Sequence, residues 1–142
     1  MKKNLSLLVC LILVVVLSFS LSACGKTVTE ADVWQEAMYT EDTELGSGEK
    51  TVLVEVVAEE KSVTFTIHSD KDTLGDALSE HKLIEGEKGA YGLYVKKVNG
   101  ITADYDKNQC YWGFNKDGEG MMTGVDGAKF KDGEHYELVY TK

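Results

Sequence analysis

Two adjacent segments with strand-like patterns, residues 52–58 and 62–68, constrain the fold of this chain more than any other feature. In the second segment apolar and polar residues alternate, which is typical of a strand with one buried face. The first segment is almost entirely apolar and β-branched, as in a more buried strand. Because only Glu59-Glu60-Lys61 separates them, we expect the two strands to form a hairpin.

A helix is predicted after this hairpin. Thr73 and Asp76 have the spacing of a capping box, in which a threonine caps the first turn and an acid lies three residues on. Leu74, Ala77 and Leu78 then repeat at helical spacing. The pattern predicts about three turns of helix with one apolar stripe, which can cover one face of a sheet.

The rest of the chain returns to strand patterns. Strands are predicted at 93–98, 110–114 and 136–140, and the first of them leads into Asn99-Gly100, a dipeptide typical of tight turns. This order of elements indicates an α+β fold in which one helix packs on one face of a sheet. A β-grasp-like mixed sheet over residues 50–142 is the simplest fold with this order, and we predict it here.

The first 23 residues have the composition of a signal peptide. The apolar run from Leu7 to Leu17 is shorter than the roughly 20 residues that cross a bilayer, but it fits a signal-peptide core. Leu21-Ser22-Ala23-Cys24 follows and resembles the lipobox of bacterial lipoproteins. In that family the cysteine receives a diacylglycerol and the signal is cut before it, so the resemblance implies lipidation of Cys24. A plain secreted protein and an uncleaved membrane anchor are the alternatives.

The resemblance to the lipobox also implies where the protein is located. The protein is expected on the outer face of the cytoplasmic membrane, held by its lipid anchor, in a Gram-positive bacterium. Residues 24–49 are rich in glycine, threonine and acidic residues, and they are predicted to be a lipidated N-terminus and a flexible linker. Trp34 lies in a stretch that can form a short helix; it either packs on the domain or stays in the linker, and we favour the linker.

The charge of the chain limits its partners. It has 15 lysines, no arginine and 24 acidic residues, which give a net charge of −9. A nucleic-acid-binding protein needs a basic face, so nucleic acid is excluded as a partner. The negative charge favours a neutral or cationic ligand over an anionic one.

Five short segments carry a resemblance to a known family. They are, in order, Phe65-Thr66-Ile67, Thr73-Leu74-Gly75-Asp76-Ala77-Leu78, Val98-Asn99-Gly100-Ile101, Tyr111-Trp112-Gly113-Phe114 and Lys131-Asp132-Gly133-Glu134-His135-Tyr136. Together they resemble the C-terminal domain of transcobalamin and intrinsic factor. They resemble more closely a bacterial family of unknown function that shares this domain and is common in surface lipoproteins. The resemblance covers about residues 50–142 and implies a β-grasp fold of the soluble-ligand-binding kind.

The same resemblance suggests cobalamin as a ligand, with a reservation. In the vitamin carriers a separate helical barrel holds the other face of the corrin, and this chain has no room for one. The family's aromatic strand also runs into an Asn-Gly turn, whereas Asn115 is here followed by Lys116-Asp117-Gly118. We therefore expect weak cobalamin binding at best.

No catalytic site is predicted. Cys110 is the one cysteine outside the predicted signal and lipidation site, and it shares a strand face with Trp112 and Phe114, as core residues do. Nothing in the sequence places a base beside its thiol. The chain is therefore predicted not to be an enzyme.

Asp104, Asp106 and Asn108 begin like a calcium-binding loop, with oxygen ligands at alternate positions. The pattern then fails, because the sixth position is Gln109 rather than glycine and the twelfth is Asn115 rather than glutamate. These three residues are weak candidates for a metal site, and calcium binding is kept as an alternative function.

The predicted ligand site lies where the aromatic strand, the turn after it and a loop with two methionines meet. Tyr111 faces away from the core, Asn115 and Asp117 supply polar groups, and Met121 and Met122 are flexible apolar side chains. We therefore predict a non-catalytic binding module for a small molecule or a surface partner. A structural or adhesive cell-surface domain is the alternative from another class.

Overall fold

The structure is a computed structural model that describes residues 31–142. The predicted signal peptide, residues 1–23, and Cys24 lie outside the described residues. No helix within 31–142 is long and apolar enough to cross a membrane.

Short strands dominate the described part of the chain. The strands are β1 (Thr43–Gly46), β2 (Lys50–Ala58), β3 (Lys61–Ser69), β4 (Ile84–Gly89), β5 (Gly92–Val98), β6 (Ile101–Thr102), β7 (Tyr111–Lys116), β8 (Glu119–Gly120) and β9 (His135–Thr141). The helices are α1 (Leu74–Glu80) and α2 (Tyr105–Asn108), and a 3-10 turn spans Val33–Glu36.

The larger sheet has six strands in the order β1-β3-β2-β9-β7-β8. The predicted hairpin is confirmed, since β2 and β3 pair antiparallel and Val54 lies opposite Phe65. The last strand, β9, returns to lie parallel to β2, with Tyr136 opposite Val54. This mixed sheet with α1 between its first hairpin and its last strand is compatible with the predicted class.

A second sheet departs from the single sheet that was predicted. It has three antiparallel strands in the order β4-β5-β6, and β4 was not predicted because it contains Gly86 and Gly89, and glycine weakens a strand. The strand forms because it pairs with β5, with an irregularity between Glu85 and Gly86. Gly86 is needed there, since a Cβ at this position would lie 2.1 Å from the carbonyl oxygen of Tyr94.

The core lies between the inner face of the large sheet, α1 and the small sheet. Burial alternates along β2 and β3 as the sequence pattern predicts, and Leu74, Ala77 and Leu78 of α1 are fully buried against them. Thr73 caps α1 by accepting a hydrogen bond from Asp76 N at 3.2 Å. The threonine cap and the apolar stripe therefore position the helix as expected, but α1 has seven residues, about two turns instead of the three predicted.

Residues 31–49 belong to the fold, so the predicted flexible linker is wrong for this stretch. Trp34 is 7% exposed, and its Nε1 donates to the Ala58 carbonyl at 2.9 Å. Tyr39 packs edge-on against Phe65, and β1 adds a parallel edge strand to β3. The sequence concealed this because a short edge strand takes its hydrogen bonds from its neighbour, not from a pattern of its own. The folded unit begins before Trp34 and not at residue 50.

Candidate functional site

The residues of the predicted ligand site are divided between two surfaces. Tyr111 begins β7 and points outward from the large sheet, with 42% of it exposed. Asn115 points to the same side four residues on, which is roughly 13 Å along a strand. Asp117 follows in the turn with a left-handed φ of 50°. These three residues line one face of the sheet.

The two methionines lie elsewhere and differ from each other. Met121 N donates to the Phe114 carbonyl at 2.9 Å, and the Met121 side chain packs against the core. Met122 is fully exposed. The structure therefore does not gather the five predicted residues into one pocket.

Sequence reasoning did not single out Tyr91, which lies beside the methionine loop. Tyr91 is at the tip of the β4–β5 hairpin and is fully exposed, like Met122. The two loops are joined by Asp126, whose Oδ2 accepts a hydrogen bond from Leu93 N at 3.0 Å. We call these two side chains and their loops the Tyr91–Met122 patch. The signal in the sequence is a tyrosine in the turn Gly89-Ala90-Tyr91-Gly92, at a hairpin tip where it is fully exposed.

The backbone beneath this patch is held by further hydrogen bonds. Gly75 N donates to the Val125 carbonyl and Leu74 N to the Ala128 carbonyl, both at 2.8 Å, so the start of α1 holds the loop. Gly92 leaves room for the Asp126 carboxylate, because a Cβ there would lie 2.7 Å from its Oδ1. The patch therefore presents two large apolar side chains on loops that are tied to the rest of the fold.

Two of the three calcium candidates, Asp104 and Asn108, use their side-chain oxygens for other partners in the structure. Asp104 caps α2 by accepting from Asp106 N at 3.2 Å, and Asn108 Oδ1 accepts from both Asp104 N and Cys110 N at 3.1 Å. Lys96 and Lys107 lie 3.7 and 3.6 Å from Asp104 Oδ2. Oxygens that are engaged by amides and ammonium groups are poorly placed to surround a cation. Within residues 31–142 no group of three or more His, Cys, Asp or Glu side chains is arranged to hold a metal ion.

A cleft of about 520 Å³ opens beside these residues, between the small sheet and α2. Its lysines face its carboxylates: Lys96 lies 3.2 Å from Glu87, and Lys97 lies 3.6 Å from Glu85. The hydrogen bond to Glu87 raises the pKa of Lys96 above its usual value. The lysines that line this cleft are therefore already paired with carboxylates of the same chain, so they are not available to bind an anionic ligand.

A second cleft, of about 470 Å³, lies where β1 ends and α1 ends. His68 borders it, with Nδ1 at 3.0 Å from the Thr51 hydroxyl and Nε2 at 2.6 Å from Glu44. His81 Nε2 is buried there without a hydrogen-bond partner, and a Cβ at Gly46 would lie 3.1 Å from it. The loop after β1 thus covers the histidine closely.

The outward face of the large sheet carries a cluster of charged groups. His135 lies 3.6 Å from both Glu55 and Glu137, and 4.0 Å from Asp117. Glu137 also accepts from Gly118 N at 3.0 Å, which fixes the turn after β7. Negative charge is thereby concentrated on a face that no described element covers.

Cys110 has the surroundings of a core thiol. It is 4% exposed, and its thiol donates to the Asn108 carbonyl at 3.2 Å. Burial raises the pKa of Tyr140 to about 12, together with a hydrogen bond between that tyrosine and Cys110. Neither described neighbour is a base that would activate the thiol.

The fold and these surfaces define a β-rich domain with open surfaces, and comparison with known proteins gives its family. The chain belongs to the family described as "Domain of unknown function (DUF4430)", whose model matches residues 71–142. This confirms the expected relation to a family of unknown function. No curated protein matches the chain.

The solved structures that are similar to this chain include the following two. The first is "a putative metal binding protein from Ruminococcus gnavus ATCC 29149", with 34% identity and a TM-score of 0.63 over 66% of this chain and 98% of that one. The second is haptocorrin in complex with Cbi, with 16% identity and a TM-score of 0.50 over 69% of this chain and 27% of haptocorrin. At that identity the second likeness concerns the fold alone, and it supports the expected transcobalamin-like domain.

Proposed function

We propose that this protein is a lipid-anchored, extracytoplasmic and non-catalytic binding module, and that its small-molecule ligand contacts the Tyr91–Met122 patch. The observation that carries the proposal is the full exposure of both side chains on loops that Asp126 ties together. Exposed apolar surface marks a binding site when it is contiguous, and the hydrogen bond from Leu93 N to Asp126 brings the two loops together. Tyrosine adds a polar tip to its apolar ring, and methionine adapts to the shape of its partner.

The related structures support binding as the general role. One is described as a putative metal binding protein, and the other holds Cbi. This chain spans only 27% of haptocorrin, so a cobalamin-like ligand would have one face held by this domain. We therefore expect cobalamin affinity in the micromolar range or weaker, which corresponds to about −8 kcal/mol or less in magnitude.

The experiment is native mass spectrometry of the protein purified from its own host, followed by calorimetric titration of the same protein with cobalamin and, separately, with calcium. Tyr91→Ala and Met122→Ala should each weaken binding of the co-purified ligand or of cobalamin several-fold. Tyr105→Ala is the matched control, since Tyr105 is a 58% exposed tyrosine on α2. Equal loss in all three variants would contradict the proposed site.

Calcium binding is the second outcome that these titrations address. Tight calcium binding that is lost in Asp104→Ala and Asp106→Ala would favour the metal function over the apolar patch. No heat with either ligand, and none carried from the host, would favour the structural or adhesive alternative.

The lipid anchor has its own test. We propose that Cys24 is lipidated, on the basis of the sequence Leu21-Ser22-Ala23-Cys24. The two acyl chains of the diacylglycerol would then hold the protein stably at the membrane. Cys24→Ala should abolish lipid labelling and release the protein or leave an uncut precursor. A cleaved variant that still fractionates with membranes would overturn the anchor and the proposed location.

A further inference from the structure

We propose that the outward face of the large sheet docks a cationic, partly apolar segment of a partner protein. We call this surface the acidic face. Its charged and apolar residues are Glu44, Leu53, Glu55, Val57, Asp117, Glu137 and Val139, together with His68 and His135. It is separate from the Tyr91–Met122 patch and does not depend on the ligand proposed there.

Strand register brings the carboxylates of this face together. Glu55 of β2 lies directly opposite Glu137 of β9 in a parallel pair, and like charges opposite each other in a sheet are unfavourable. His135 lies 3.6 Å from each of these two glutamates, and Glu44 extends the negative charge to the edge strand β1. His135 lies between these two glutamates, and a cationic group placed over them would add a second favourable contact for their negative charge.

The chain has 15 lysines, but none in the described strands points outward on this face. Among the described residues that point outward from β1, β2, β3, β7 and β9, none is a lysine. Lys50, Lys61 and Lys116 lie in the same strands but alternate to the opposite side. In the cleft beside α2, by contrast, lysines and carboxylates pair with one another. The acidic face is therefore complementary to a partner of positive charge.

An apolar stripe runs through the same face. Leu53 and Val57 of β2 and Val139 of β9 point outward on the two central strands and are only half-buried, and Val57 lies opposite Val139. Apolar contact supplies affinity, whereas charge complementarity supplies specificity and a faster encounter. This combination fits a protein segment that carries both apolar and basic side chains.

The charge of the face argues against other occupants. A second copy bound symmetrically would place the same carboxylates against one another. Anionic lipids and nucleic acid have the same sign of charge as the face and would be repelled. A cationic protein segment is the occupant that satisfies both the charge and the apolar stripe.

The experiment measures binding of a short synthetic peptide of lysine and leucine to the full chain in detergent, at physiological salt. Glu44→Gln/Glu55→Gln should raise the dissociation constant about tenfold, which corresponds to about 1.4 kcal/mol. Glu85→Gln/Glu87→Gln removes the same charge from the small sheet and should change the constant less than twofold. A peptide with glutamate in place of lysine should not bind.

Two controls keep the result interpretable. Thr66→Lys places a lysine between Glu44 and Leu53 in the sheet register and should weaken peptide binding as well. This variant tests the acidic face independently if Glu44→Gln/Glu55→Gln fails to fold. Amide chemical-shift changes on peptide binding should fall on β2, β3 and β9. Equal weakening by both double variants, shifts confined to the Tyr91–Met122 patch, or self-association through the acidic face would each overturn the proposal.

Discussion

Glu134 joins the last turn of the chain to two neighbouring strands through one carboxylate. Its oxygens accept hydrogen bonds from Lys116 Nζ and the Tyr136 hydroxyl, both at 2.7 Å, and from Lys131 N at 3.0 Å. Burial by itself would raise the pKa of Glu134, but these bonds from Lys116, Tyr136 and Lys131 outweigh it and lower the pKa to about 2. The carboxylate is therefore a source of stability that depends on pH.

We expect the free energy of unfolding to fall as the pH falls from about 4.5 to about 2, because the folded state holds this proton less tightly than the unfolded chain. Glu134→Gln should cost on the order of 2 kcal/mol at neutral pH and should flatten this part of the pH profile. Urea melts at several pH values measure both effects. Glu85→Gln, which removes a carboxylate whose lysine partner lies 3.6 Å away on the surface, is the control. Identical slopes in the two variants would contradict the assignment.

Neighbouring residues of β3 should differ sharply in their effect on stability. Phe65 is fully buried and packs against Tyr39 at a centroid distance of 5.5 Å, whereas Thr64 points outward. Phe65→Ala should lower the free energy of unfolding by about 3–5 kcal/mol, and Thr64→Ala by well under 1 kcal/mol. Comparable losses in urea melts would mean that the alternation does not define the buried face.

At the scale of elements, the sequence predicted those with a periodic pattern of their own. The β2–β3 hairpin and α1 were predicted because burial repeats every second residue in one and along a stripe in the other. β1 and β4 were missed because each is defined by the strand it pairs with: β1 is a four-residue edge and β4 contains two glycines. Tertiary hydrogen bonding, which no local pattern encodes, decided both.

The turn between β5 and β6 shows how such hidden contacts hold the fold together. Asn99 is fully buried; its Nδ2 donates to the Tyr39 carbonyl at 2.8 Å, and its Oδ1 accepts from Tyr39 N at 3.0 Å. The dipeptide predicted a tight turn, and the turn is confirmed. No local pattern indicates that this side chain also forms hydrogen bonds to the segment before β1.

Asn99→Gly should therefore cost about 2–4 kcal/mol, since it removes two buried hydrogen bonds while keeping the left-handed backbone that glycine adopts freely. Asp117→Gly is a matched control, because Asp117 has the same φ of 50° and also precedes a glycine, but its side chain is 69% exposed. The control should change stability by less than about 1 kcal/mol. Chemical denaturation of both variants measures the difference, and equal losses would assign the cost to the backbone alone.

At the scale of the whole molecule, the site was harder to predict than the fold. The pattern of β7 correctly predicted that Tyr111 points outward, but it could not show that Asp126 joins the methionine loop to the β4–β5 hairpin that carries Tyr91. The oxygens of Asp104 and Asn108 resembled metal ligands in sequence, yet they cap α2 and bind nearby amides. Hydrogen bonding between segments that are distant in sequence determines which side chains share a surface. A single sequence does not show which distant segments pair.

The same pairing fixes where the folded unit begins, and this can be tested by truncation. A chain that starts at residue 50 loses the Trp34 hydrogen bond to Ala58, exposes part of Phe65 by removing Tyr39, and leaves Asn99 without both of its side-chain partners. It also leaves β3 as an unpaired edge, which favours association between chains. We expect residues 31–142 to unfold cooperatively in urea. The shorter chain, residues 50–142, should lose several kcal/mol of its free energy of unfolding. Because a domain usually has about 5–15 kcal/mol in total, this loss should prevent stable folding. Trp34→Ala in the longer chain should give an intermediate loss of about 3 kcal/mol. Equal midpoints for the two chain lengths would restore residues 31–49 to the role of a linker.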